Sequence, residues 1–253
     1  MLLIEMVEKR ELSGRYGVLF RTNLGFGIFL IGCAYVLGLH LFVGSTIPLE
    51  ISVIVVLITV VGQVVVWRAD GGRGRLCLYG IFSILVMCSV YFLVVGISWA
   101  FYFSYTPMPS MVRFICIGAA VVLTLLWVIV IGRRVSAVLE RPEFVEQVFK
   151  DVGSEIQYRL AGMQQLSSFA DNRGPIERMG LRIVLLAAPA VFLSGRILTP
   201  FDASRDLLLF VTLLLCPCSQ LLAGIIVKGY LIMIRLPRRL ERIRQKPVVL
   251  VGD

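Results

Sequence analysis

Charge is what this 253-residue chain has least of: 16% of its residues are Asp, Glu, Lys or Arg, against about 25% in an average soluble domain. The deficit is concentrated in blocks of about 20 residues with almost no ionisable group, the length a helix needs to cross a hydrocarbon core of about 30 Å. The blocks do not alternate in polarity as barrel strands do. Their backbone polar groups must therefore be satisfied within helices. With 58% of its residues hydrophobic, the chain is predicted to be an all-α, polytopic helical membrane protein forming one integral membrane domain over 1–253.

Other absences narrow the function. His40 is the single histidine, so most general-base schemes lack their usual member. P-loop, His-Glu-x-x-His and Gly-x-Ser-x-Gly sequences are missing, as are paired membrane aspartates. The expectation is a protein that is not an enzyme and holds no cofactor. The net charge of +9 comes without any RNA- or DNA-reading motif, and charge alone is weak support for nucleic-acid binding. The basic residues instead flank the apolar blocks, where they meet anionic lipid headgroups. There is no Asn-x-Ser/Thr sequon, and the first 22 residues carry charges where a signal peptide has its apolar region. The first span is thus expected to serve as the insertion signal.

Six spans can be drawn, at about 24–41, 47–67, 76–103, 111–132, 181–199 and 207–236, with Trp67, Trp99, Tyr102 and Tyr105 at their ends as in an interfacial aromatic belt. Lys9, Arg10, Arg15 and Arg21 precede the first span, and Arg68, Arg73 and Arg75 join the second to the third. Eight basic residues lie from Arg133 to Arg182 and six more in the tail "RLPRRLERIRQK". The opposite loops hold only Arg113, Arg196 and Arg205. Such a bias places both termini in the cytoplasm, and the expected location is a plasma membrane, specifically a bacterial inner membrane.

Only 133–180 has room for structure outside the bilayer. Within it, Pro142 suits the first turn of a helix. Val145, Val148, Phe149, Val152, Ile156, Leu160 and Met163 then recur at spacings of three and four, predicting one amphipathic cytoplasmic helix between spans 4 and 5. Its apolar stripe would lie on the protein's own helix ends or the membrane interface, or dock into a partner's groove. Gly153 is its weak point.

Inside the spans, Cys216-Pro217-Cys218 is the sharpest motif. It resembles, over three residues only, the intramembrane Cys-Pro-Cys of heavy-metal pumping ATPases; the Asp-Lys-Thr-Gly-Thr sequence those pumps need is missing. Cys216 and Cys218 are thus weak metal candidates, and the competing expectation is that Pro217 kinks the sixth helix while the thiols pack as small apolar groups. All six cysteines fall in spans, so no disulfide framework is expected. Lys228 is the one charge deep in a span and, with Gln220, would border a polar path if solute crossed here. Small residues one turn apart, Ala34 with Gly38 and Ser219 with Ala223, favour close helix packing. Two functional classes follow. One is a non-catalytic subunit, scaffold or protective (immunity-type) protein that contacts another membrane protein or a second copy of itself. The other is a channel, transporter or permease subunit for an ion or small solute.

Overall fold

The computed structural model describes residues 2–40, 46–105, 109–159 and 203–251. These are mostly helical: α1 (Leu2–His40), α2 (Ile47–Asp70), α3 (Leu76–Val95), α4 (Phe101–Tyr105), α5 (Ser110–Leu139), α6 (Pro142–Val148), α7 (Ala203–Tyr230) and α8 (Leu236–Arg244). A π-helical turn at Gly96–Ala100 joins α3 to α4, and another at Leu231–Arg235 joins α7 to α8. Among the described residues, five helical stretches are long and apolar enough to cross a membrane: Gly14–Val36, Ile47–Asp70, Leu76–Val95, Ser110–Leu139 and Cys218–Arg244. The chain is thus built as a multi-pass membrane protein. The expected span at 181–199 lies outside the described residues. α1 extends well before the apolar run of the first span, and within it Tyr16 is buried edge-on against Tyr79 and Phe82.

α2 shows why these helices belong in lipid. Its buried residues are Pro48, Ser52, Thr59, Gln63 and Asp70, at successive spacings of 4, 7, 4 and 7, which trace one face of a helix. Its exposed side carries Ile47, Ile51, Ile54, Leu57, Ile58, Val61 and Val65. Polar groups point inward and apolar groups outward, the reverse of a water-soluble helix. α3 occupies the centre, packed against α1, α2 and α7, while α5 packs on α7.

A small mixed module closes one end of the bundle, and it corrects two expectations. The helix expected from Pro142 through Met163 stops at Val148; Phe149–Asp151 is strand β1, and Ile156–Arg159 is strand β2. The two pair antiparallel, with Phe149 opposite Tyr158, and Gly153 at φ +74° makes the turn. Strand β3, Val248–Val251, lies parallel to β2 with Tyr158 opposite Leu250. The all-α expectation therefore holds for the bundle and fails at this end. Alternate residues of the sheet (Ile156, Tyr158, Val248, Leu250) are buried in one core with Phe144, Val148, Phe149, Leu76, Val135 and Ile232, so sheet and bundle fold as one body.

The loop between α2 and α3 fastens this module. Asp70, itself buried, accepts from the N–H groups of Gly74 (3.2 Å) and Arg75 (3.1 Å), at the positive end of α3. Gly71, Gly72 and Gly74 all take positive φ, which a side chain would oppose. The Gly74 carbonyl then accepts from the N–H of Leu250 (2.8 Å), so β3 is paired on both sides.

At the outer edge, Asp151 accepts from Lys246 (2.8 Å) and Arg244 (3.4 Å). The Lys246 hydrogen bond, aided by the Gly153 N–H and Arg244, holds the Asp151 carboxyl below its ordinary value against slight desolvation. A folded-state value below the unfolded one adds stability above the unfolded value, and that stability is lost as pH falls through the folded value. Acidification from pH 6 to 3 should therefore lower the protection of the 248–251 amides relative to their intrinsic exchange rates, and Asp151→Asn should flatten that part of the profile. An Asp151→Asn profile as steep as the parent's would show that another group governs the docking.

Candidate functional site

The most concentrated polar chemistry lies where α1, α2 and α3 meet, near the middle of each span. Asn23 Nδ2 donates to Gln63 Oε1 at 2.7 Å and approaches Thr59 Oγ1 at 3.5 Å. Ser89 Oγ, from α3, donates to Thr59 Oγ1 at 2.9 Å, and Thr59 also donates to the Val56 carbonyl at 3.0 Å. All four side chains are buried, Gln63 completely. Helical spacing explains the meeting: Thr59 and Gln63 are four residues apart and share the inward face of α2. Asn23 Oδ1 and Gln63 Nε2 stay buried without a hydrogen-bond partner, so the junction holds one unused acceptor and one unused donor.

A second polar contact ties α5 to α7. Gln220 Nε2 donates to Thr124 Oγ1 at 2.9 Å, and Thr124 donates to the Ala120 carbonyl at 2.8 Å; Gln220 Oε1 is buried and unpartnered. Lys228, two turns further on, is half-buried. The two members of the expected polar path thus lie on one helix, but Gln220 is engaged in holding α5.

The cysteine motif is not gathered into a site. Residues two apart on a helix point about 200° apart, and Cys216 is half-buried while Cys218 is exposed. Among the described residues no three His, Cys, Asp or Glu side chains stand together as metal ligands. α7 continues through Pro217 as unbroken α-helix. The irregular turn comes at Leu231–Arg235, where the Leu236 N–H reaches back to the Leu231 carbonyl. Pro237 follows, and a proline cannot supply the N–H that would close an α-turn onto Met233.

The apolar stripe is divided. Val148, Phe149 and Ile156 lie in the protein's own core, Val145 packs against it, and Val152 is 52% exposed at the hairpin turn. Leu160 and Met163 lie outside the described residues. A partner-docking face along one helix is therefore not formed. Asn23, Thr59 and Ser89 escaped sequence reading; the inward polar period of α2 could have found Thr59, whereas Asn23 on α1 and Ser89 on α3 carry no such local signal. Searches against protein-family models, curated proteins and solved structures gave no match.

Proposed function

We propose that the chain is a non-catalytic integral membrane protein acting through protein–protein contacts, as a subunit or scaffold of a larger membrane assembly or as a membrane-embedded protective protein. Six spans with both termini in the cytoplasm fit this reading, as does a bacterial inner membrane. The supporting observation is how the bundle spends its polar groups. Asn23 with Gln63, Ser89 with Thr59 and Gln220 with Thr124 are neutral side chains bonded across helix pairs, the usual means of joining helices where the hydrophobic effect between them is missing. The charges gather at the sheet end, where 235–246 carries Arg235, Arg238, Arg239, Arg242, Arg244 and Lys246 against one acid, Glu241. The test is purification of the tagged full chain from its own membranes in two mild detergents, with quantitative mass spectrometry. A partner at the same fixed stoichiometry in both supports the proposal. A chain that purifies alone in both overturns it.

The second reading, a channel, transporter or permease subunit, draws on a different observation: Asn23 Oδ1, Gln63 Nε2 and Gln220 Oε1 are polar atoms buried without partners. Such atoms are suited to bind water or a passing solute.

A further inference from the structure

Two adjoining cavities lie in the groove between the sheet-end half of α5 and the α7–α8 junction. One, of about 520 Å³, is lined by Arg235, Arg238, Arg239 and Arg242 with Glu140 as its one acid. The other, of about 720 Å³, is lined mainly by apolar side chains, among them Ile84, Val128, Ile129, Ile226 and Val227, with Arg133 at its margin. They share Ser136, Glu140, Tyr230, Leu231 and Arg235, so basic and apolar halves form one continuous groove. From Glu140 back to Val128 the groove follows α5 for about 18 Å at 1.5 Å per residue, toward the middle of the span.

This polarity is that of an amphiphile. Arg235, Arg238, Arg239 and Arg242 are all exposed, and their guanidinium groups present forked donors matched to phosphate oxygens. The apolar half descends along spanning helices where a water-soluble anion or an acidic peptide has no access, whereas a lipid chain is already there. Tyr230, exposed at the join between the halves, sits where an aromatic ring with a polar tip is favoured at a membrane surface. We propose that this groove binds an anionic glycerophospholipid, its phosphate on the Arg238–Arg239–Arg242 cluster and one acyl chain along Val128, Ile129 and Val227. The site rests on the membrane embedding of the bundle alone, and is independent of whether the protein acts through partners or carries a solute.

The test is native mass spectrometry of the full chain in neutral detergent, titrated with dioleoyl phosphatidylglycerol, dioleoyl phosphatidylcholine or inorganic phosphate. Phosphatidylglycerol should bind at least about tenfold tighter than phosphatidylcholine. Arg238→Gln/Arg239→Gln/Arg242→Gln should weaken it about a hundredfold, given the attraction each basic side chain has for an anionic lipid. Gly132→Leu tests the other half: a Cβ there would meet only Val227 Cγ1, at 3.9 Å, so the side chain fills the groove without displacing backbone. It should weaken phosphatidylglycerol while leaving the arginines in place. Equal binding of the two lipids overturns the proposal, as does a triple variant that binds like the parent. If phosphate binds as tightly as phosphatidylglycerol and Gly132→Leu changes nothing, the arginines form a free-anion site and the lipid assignment fails.

Discussion

Gly80→Leu is expected to unfasten the sheet end from the bundle, lowering the unfolding midpoint of the purified protein by more than any other single apolar substitution in α3. A Cβ at Gly80 would stand 2.7 Å from Met233 Cβ, 3.0 Å from the Met233 carbonyl oxygen and 3.2 Å from Ile234 Cγ1. Of those neighbours only Ile234 Cγ1 can move by rotating a side-chain bond; Met233 Cβ is fixed by the main chain, and the carbonyl oxygen is backbone of the π-turn. That turn has little freedom to move. Leu231, Ile232, Met233 and Ile234 are all buried, and Cys77 Sγ, one turn before Gly80, contacts the Ile234 carbonyl at 3.8 Å. Overpacking a well-filled core costs about 1–3 kcal/mol, and here a four-carbon side chain must displace main chain, so the upper end of that range is expected. α8 and β3 follow directly from the turn, so amide exchange at 248–251 should rise with the loss of stability. Gly118→Leu is the matched control. No atom lies within 4 Å of a Cβ at that exposed position on α5, and surface changes of this kind stay within about 0.5 kcal/mol. Equal midpoints for the two variants would show that the α3 crossing is not what holds the turn.

What the sequence made legible follows from how local each signal is. The spans are local: apolar length alone places them at 47–67, 76–103 and 111–132, against observed helices at Ile47–Asp70, Leu76–Val95 and Ser110–Leu139. The sheet is not local. A period of 3.6 fits Val145, Val148, Phe149, Val152 and Ile156, but that reading buries Val152 and turns Tyr158 outward. In the fold Val152 is 52% exposed and Tyr158 fully buried. The alternation Ile156, Tyr158 is a strand period, and it is too short to compete in sequence with a longer helical pattern. What stabilises it is β3, which pairs with β2 across about 90 residues, a contact no window along the chain contains. Pro217 and Pro237 teach a related point. Both lie late in the apolar run or at its end, and both remove a backbone donor; only the geometry shows that a π-helical turn forms at Leu231–Arg235, just before Pro237.

The polar junction was half legible, because Gln63 is conspicuous in an apolar run whereas Asn23, Thr59 and Ser89 gain meaning only when α1, α2 and α3 are brought together. That junction also separates the two functional readings. Asn23→Leu removes the donor to Gln63 Oε1 and leaves a fully buried amide without its one cross-helix bond, at a cost of about 1–3 kcal/mol. Gln63→Leu does the same to Asn23. In the double variant neither amide is left behind, so its loss should fall well short of the two single losses added together, with a coupling of about 0.6 kcal/mol, the average for hydrogen bonds between membrane helices, and at most about 1.7. If these groups serve only to join helices, the double variant will be folded, partner-bound and functionally intact, because a leucine pair can replace an amide pair in a dry interface. If Asn23 Oδ1 and Gln63 Nε2 are unpartnered because a solute passes them, the double variant will be equally well folded yet lose flux in proteoliposomes. Stability alone cannot tell these apart, since both predict the same cycle. Flux measured on a variant already shown to be folded can, and a coupling energy near zero would remove the junction from either account.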